Sequence, residues 1–341
     1  MSEASMNQYL WRPIAITMKI SIAIHGGAGT LVKGMMTPDK EKAYKADLER
    51  ARDAGYRALE NGKSAIDAVE IAVEVLENSP LFNAGKGSVF TADETHEMDA
   101  SIMDGKSLEA GAVTLISGIR NPVKLARAVM DKSEHVFLAG IGALDFAKEQ
   151  GFELEGQNYF YDEFRHNQWL EIKDTDSFQL DHSAKKDSKF GTVGAVACDL
   201  EGNVAAATST GGMTNKRYGR IGDSPMIGAG NYANNETCAV SCTGSGEFFI
   251  RGVVAYDVAC LIEHKGLSLQ AACDEVILRR ILKIGGDGCK PGRKVERKFK
   301  FRDTGARTGR YCSCTSRIAN VDTKGAMGRQ AIRRTADSLF Q

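Results

Sequence analysis

Two strand-like runs near the middle of the chain are built almost wholly from small residues, TVGAVACD at 192–199 and NVAAATS at 203–209. Threonine suits a strand because it is β-branched, whereas glycine there marks a turn or a close backbone approach. Gly191-Thr192 stands at the mouth of the first run, and Thr208-Ser209-Thr210-Gly211-Gly212 closes the second. Hydroxyl groups and glycines thus occupy the strand ends, where valine would pack better. Any fold for this chain has to accommodate that pair.

The surrounding pattern narrows the choice. ISIAIHGGAG reads as a buried strand running into a glycine turn. Residues 39–61 carry apolar groups at helical spacing, and SAIDAVEIAVEVLENSP opens on a serine cap and stops at Pro80. FNAGKG feeds a hairpin of alternating residues, a strand follows at 111–116, and a helix starts at Pro122. A strand at 135–139 and a helix at 141–150 close the first half. Strands are expected again at 192–199, 203–209, about 226–230 and 237–243, followed by two helices, EFFIRGVVAYDVACLIEHKG and LSLQAACDEVILRRILKI. Strands grouped between helix pairs favour a layered α+β sandwich over a doubly wound sheet.

Charge is balanced overall, with 44 Lys+Arg against 44 Asp+Glu, but it is partitioned. Residues 289–341 hold 14 Lys+Arg and 4 Asp+Glu, a surplus of ten, so the first 288 residues carry the matching deficit. All eight cysteines follow residue 197, and no paired C-x-x-C motif occurs, which reads as reduced thiols in a cytoplasmic protein without a structural zinc. The leader at 1–19 lacks an apolar core and a small-residue cleavage site, so it reads as an extension and not a secretory signal. No run of 18 apolar residues is present, which excludes a spanning helix.

Several chemistries can be weighed. His25-Gly26-Gly27 resembles an esterase oxyanion loop, but no G-x-S-x-G elbow follows it. His96, His135, His166, His182 and His264 show no ligand spacing and read as surface or supporting residues. The run DETHEMD reads as a solvated strand edge, since alternation sends its carboxylates to both faces.

The polar, aperiodic stretch EIKDTDSFQLDHSAKKDSK (171–189) reads as a mobile linker that exposes the Gly191–Thr192 bond at the head of a buried strand. Cleavage there would give Thr192 a free α-amine beside its hydroxyl. A hydroxyl is a weak nucleophile that needs an adjacent base, and an α-amine titrates at about pH 8 within the same residue. Glycine before the threonine permits the strained conformation that brings Oγ onto the preceding carbonyl.

GTVGAVACDLEGNVAAATSTGGMTNKRYGRIGDSPMIGAGNYAN, AVSCTGSGE, AIHGGAG and LENSPLFNAGKGSVFTADETHEMDASIMDG together resemble the N-terminal-nucleophile, threonine-type isoaspartyl peptidase/L-asparaginase family of plants and bacteria, in its order and spacing from about Ile20 to Gly288. The resemblance implies a four-layer αββα sandwich. Residues 20–170 would form its N-terminal subunit part, 171–191 the pre-cleavage linker and 192–288 its C-terminal subunit part. It implies self-cleavage at Gly191–Thr192 and release of L-aspartate from β-aspartyl dipeptides and L-asparagine. Thr192 would be the nucleophile and Thr210 its hydrogen-bond partner. Arg220 would take the substrate α-carboxylate, Asp223 the α-ammonium, and Thr243 with Gly244 the oxyanion. Gly246 would offer a further N–H, and Asn83 would order a water. No catalytic cofactor is implied, only a structural sodium ion on the main-chain carbonyls of Leu76, Glu77, Ser79, Phe82, Ala84 and Lys86. The assembly would be a homodimer of cleaved units, a heterotetramer, with no membrane and no nucleic-acid partner.

The tail breaks the pattern. After GGDG the family continues with a final β-hairpin, whereas residues 289–341 are basic and unmatched, and read as largely disordered. A shifted reading frame, a basic extension replacing the hairpin, and an arm for nucleic acid or a membrane surface are the alternatives. With them stands a rival function, an inactive or unprocessed remnant that binds through its basic tail.

Overall fold

The computed structural model describes residues 20–27, 37–174, 191–285 and 317–322, the last of these as backbone alone. Expectations for the N-terminal extension, most of the linker and most of the tail lie outside the described residues. The larger sheet has six strands, β1 (Ser21–His25), β2 (Met98–Asp104), β3 (Ala110–Ile116), β4 (Phe137–Ala139), β5 (Val193–Cys198) and β6 (Val204–Thr210). Their spatial order is β1-β5-β6-β2-β3-β4, antiparallel except for the parallel β3–β4 pair. The two small-residue runs are β5 and β6, at the sheet centre, with Val193 opposite Ser209 and Cys198 opposite Val204.

Helices α1 (Pro38–Glu60), α2 (Ala65–Glu77) and α3 (Pro122–Lys132) cover one face of this sheet. Their starts follow local chemistry: Thr37 caps α1 by accepting from Lys40 N–H at 3.3 Å, and Ser64 caps α2 by accepting from Asp67 N–H at 3.4 Å. The buried stripe of α2, with Ala68, Val69, Ala72, Val73 and Leu76, meets Ala195, Ala197, Ala205 and Ala207. Helices α4 (Gly140–Glu149), α5 (Gln157–Phe160) and α6 (Glu163–Leu170) complete the first half.

Period-two alternation sends the other residues of β5 and β6 to the opposite face. There Val196, Cys198, Val204 and Ala206 pack against Ala233 and Ala239 of a second sheet, β7 (Asn231–Ala233), β8 (Cys238–Thr243) and β9 (Arg317–Asp322). The far face of β8, with Cys238, Val240 and Cys242, meets α8 (Val254–Lys265) and α9 (Leu269–Glu275), which follow α7 (Gly246–Gly252). The chain is therefore a mixed α+β protein, with two sheets face to face and helices outside them. Each fully buried Val or Leu in these interfaces contributes about 1.5–3 kcal/mol.

Several expectations need correction. The strand expected at 226–230 is a turn, because Gly228 is left-handed (φ 90°) and a Cβ at Gly230 would lie 2.3 Å from the Asp223 carbonyl oxygen. The helix expected across EFFIRGVVAYDVACLIEHKG breaks at Val253, whose φ is 46°. Past the break, Ala255 and Tyr256 donate their N–H groups to the carbonyls of Ala229 and Gly228. The last expected helix runs as α9, a π-turn over Val276–Arg280 and the short α10 (Ile281–Lys283). DETHEMD is not a solvated edge: it leads into β2, which pairs on both sides, and Asp99 and His96 are buried. Within the tail, Arg317–Asp322 pairs antiparallel with β8, Thr243 opposite Arg317 and Cys238 opposite Asp322.

Candidate active site

Thr192 lies just before β5, on the side of the sheet that faces the second sheet. Its Oγ1 donates to Thr210 Oγ1 at 3.0 Å and lies 3.4 Å from Ser224 Oγ. Thr210 closes β6 and is nearly fully buried, and its Oγ1 also accepts from Gly212 N–H at 3.0 Å. The Gly212 carbonyl accepts from Asn83 Nδ2 at 2.7 Å, and the Asn83 carbonyl accepts from Gly211 N–H at 3.1 Å. The loop carrying Asn83 is thereby tied to the end of the β5–β6 hairpin. Glycine at 211 is required, since a Cβ there would stand 2.4 Å from Asn83 Oδ1.

Behind Thr192 lies a polar cluster that the sequence reading did not assign. His25 Nδ1 is 3.2 Å from the Thr192 carbonyl oxygen, and Nε2 is 2.9 Å from Ser241 Oγ. A carbonyl can only accept, so Nδ1 carries the hydrogen. Ser241 in turn meets Thr208 Oγ1 at 2.6 Å. Gly194 makes room for this cluster, for a Cβ there would lie 2.0 Å from Ser241 Oγ and 2.5 Å from His25 Nε2. Gly27 (φ 111°) lies against the residue before Thr192: its Cβ would meet Gly191 N at 2.6 Å. The signal for His25 was the strand-then-glycine pattern of AIHGG, and for Ser224 its place directly after Asp223.

The remaining sequence-identified residues converge around Gly246, the first residue of α7. A Cβ at Gly246 would stand 2.9 Å from Arg220 Nη2 and 3.0 Å from both Asp223 N and Asp223 Oδ1. Thr243 ends β8 two positions before the helix cap, buried, and Gly244 is held to glycine by the Phe249 ring. Arg220 is not an open clamp: its Nε and Nη2 lie 2.9 and 2.8 Å from Glu247 Oε1. Asp223 is buried with Oδ2 lacking a hydrogen-bond partner, and burial pushes its carboxyl up to about 7 against the pull of Arg220. Ser224, next in the chain to Asp223, links this group to Thr192 through its 3.4 Å approach to Thr192 Oγ1.

Two glycines of the loop after α2 lie against carbonyl oxygens. A Cβ at Gly85 (φ 53°) would meet the Glu77 carbonyl oxygen at 2.4 Å, and one at Gly87 would meet the Phe82 carbonyl oxygen at 2.2 Å. Neutral carbonyl oxygens are the ligand type a hard monovalent cation takes. The Glu77 side chain is a separate matter: it is fully buried, and burial pushes its carboxyl up to about 8. No group of three or more His, Cys, Asp or Glu suited to a metal occurs among the described residues.

Comparison with known proteins places this arrangement among relatives. The asparaginase family profile matches residues 18–289. The isoaspartyl peptidase of Escherichia coli K12 is 51% identical over 273 residues, covering 79% of this chain and 85% of that protein. A probable isoaspartyl peptidase/L-asparaginase 2 of Arabidopsis thaliana is 44% identical, covering 76% of this chain and 86% of its own. The isoaspartyl peptidase/L-asparaginase of Xenopus laevis is 44% identical, covering 80% and 84%.

Proposed function

Because the chain belongs to the asparaginase family, we propose that it is an amidohydrolase that cuts itself at Gly191–Thr192 and then releases L-aspartate from β-aspartyl dipeptides and L-asparagine. The observation that carries this reading is the 3.0 Å hydrogen bond from Thr192 Oγ1 to Thr210 Oγ1, with Ser224, the neighbour of Asp223, 3.4 Å from the same Oγ1. The overall architecture supports the four-layer αββα sandwich of N-terminal-nucleophile hydrolases. In this reading the N- and C-terminal parts, 20–170 and 192–288, share one domain, and the tail replaces the final hairpin.

Maturation starts with attack of Thr192 Oγ on the Gly191 carbonyl, so that the acyl group moves from nitrogen to oxygen. Water then hydrolyses the ester, leaving a Gly191 carboxylate and a free Thr192 α-amine. In turnover the α-amine takes the Thr192 hydroxyl proton, and Oγ attacks the side-chain carbonyl of the substrate. Thr243 and the N–H of Gly244 hold the oxyanion, a donor set worth about 3 kcal/mol for each hydrogen bond. The proton passes to the leaving amine, the C–N bond breaks, and water attacks the acyl-enzyme to free L-aspartate. Arg220 binds the α-carboxylate, for which a guanidinium fork is suited, and Asp223 the α-ammonium. Gly246 adds a backbone N–H, and Asn83 orders a water.

The carbonyls of Leu76, Glu77, Ser79, Phe82, Ala84 and Lys86 would hold a sodium ion that stiffens the loop bearing Asn83. The matured units pair as a heterotetramer in this reading. A cytoplasmic location goes with this reading, since the sequence carries no paired C-x-x-C motif and no cysteine before residue 198. The direct test follows the 36.9 kDa chain on a denaturing gel with N-terminal sequencing, then assays β-aspartyl and ordinary α-linked dipeptides side by side. Two fragments, with Thr192 leading one, and turnover of the β-linked peptide alone are expected. An uncut chain, or equal turnover of both peptides, overturns the reading.

A further inference from the structure

The reaction as derived leaves one buried carboxylate beside the nucleophile pair unused. Asp99 is fully buried on β2, directly opposite Thr210 of β6. The β2–β3 register shifts between Met98 and Ala100, bringing Asp99 to the end of β3. There Asp99 Oδ1 accepts from Thr114 Oγ1 at 2.6 Å and from Leu115 N–H at 3.1 Å. Leu115 has φ 53°, a left-handed conformation that a branched side chain keeps only when its surroundings impose it. The Leu115 side chain then reaches Gly219, with Cδ1 3.4 Å from where a Cβ on that glycine would stand. Gly219 is itself left-handed, at φ 62°, and immediately precedes Arg220.

We infer that Asp99 is a positioning residue for substrate binding: by holding Leu115 left-handed, it backs the Arg220 loop and fixes where the guanidinium sits. This rests on the reading that Arg220 takes the substrate carboxylate. A long arginine side chain loses rotamer freedom when it binds, and a loop braced beforehand reduces that loss. The bracing acts on ground state and transition state alike, so it belongs to KM more than to kcat.

The experiment compares four variants of the whole chain in initial-rate assays with a β-aspartyl dipeptide. Asp99→Ala raises KM about tenfold or more and leaves kcat within about twofold. Asp99→Asn keeps an acceptor oxygen for Thr114 and Leu115 and returns KM to near the parent value. Leu115→Gly, which a left-handed backbone accommodates, raises KM with Asp99 intact because the side chain standing beside Gly219 is lost. Since Asp99→Ala leaves a buried N–H unpaired and can fail to mature, Leu115→Gly carries the test independently of it. The inference is overturned if Asp99→Asn matures and binds as poorly as Asp99→Ala, if kcat falls while KM stays, or if Leu115→Gly leaves KM unchanged. Arg220→Met separates the two levels. No change in its KM defeats the assignment of Arg220, whereas a raised KM there with Leu115→Gly silent defeats only the role of Asp99.

Discussion

Glu247 holds the Arg220 guanidinium through Nε at 2.9 Å and Nη2 at 2.8 Å, the guanidinium proposed above for the substrate carboxylate. Glu247 is half exposed, so the pair is worth about 0.2–1 kcal/mol, well below a bidentate contact to a desolvated ligand. Glu247→Gln is therefore expected to lower KM for a β-aspartyl dipeptide by up to about fivefold, the upper end of that energy. Initial rates on matured protein check this. A higher KM instead would assign Glu247 to holding Arg220 in place.

Thr210→Val keeps the shape of the β6 end and removes the acceptor for both Thr192 Oγ1 and Gly212 N–H. Loss of a hydrogen bond of about 1–1.5 kcal/mol on the nucleophile slows self-cleavage and turnover about tenfold each. A time course on a denaturing gel reads the first, and amine release reads the second. Unchanged rates of both would remove Thr210 from the chemistry.

Asp223 gives the pH dependence a sign. Burial raises its carboxyl to about 7, so the charged form needed for an ammonium ion is present above that pH and lost below it. For a substrate with an α-amine, kcat/KM falls as pH drops through about 7, whereas Asp223→Asn gives a low profile without that step. Stability runs the other way. A raised carboxyl favours folding at low pH and loses that contribution as pH rises from 3.8 through about 7, so Asp223→Asn melts higher than the parent at pH 8. A parent profile flat across pH 7 would place the raised group elsewhere.

Gly194→Ala tests the support behind the nucleophile. The added methyl would stand 2.0 Å from Ser241 Oγ and 2.5 Å from His25 Nε2, so the His25–Ser241–Thr208 cluster has to move. Overpacking of this kind costs about 1–3 kcal/mol, and displacement of His25 also frees the Thr192 carbonyl. A lower melting temperature together with slowed self-cleavage is expected. Full-speed maturation would show that His25 is dispensable for placing Thr192.

Much of the fold was legible because local chemistry fixed it. Ser64 caps α2 where the sequence reading placed a helix start, and the small-residue runs pair as β5 and β6. The elements that misread are those bent by distant contacts. Val253 is left-handed where α8 begins, and the first N–H groups beyond it are taken by the carbonyls of Gly228 and Ala229. Asp99 read as part of a solvated edge because its own strand alternates, and nothing local reveals that β6 and β3 flank it on both sides.

The sequence by itself determined the hairpin, the Gly191–Thr192 junction and the residue types around it, since strand alternation and glycine placement act over a few residues. Only the tertiary structure decided who meets whom. It closed Arg220 onto Glu247, set His25 behind the Thr192 carbonyl, placed Ser224 within 3.4 Å of the nucleophile and left Asp223 buried enough to raise its carboxyl. Those partners lie tens to more than a hundred residues apart, and burial is a property of all the layers together. No local pattern carries that information.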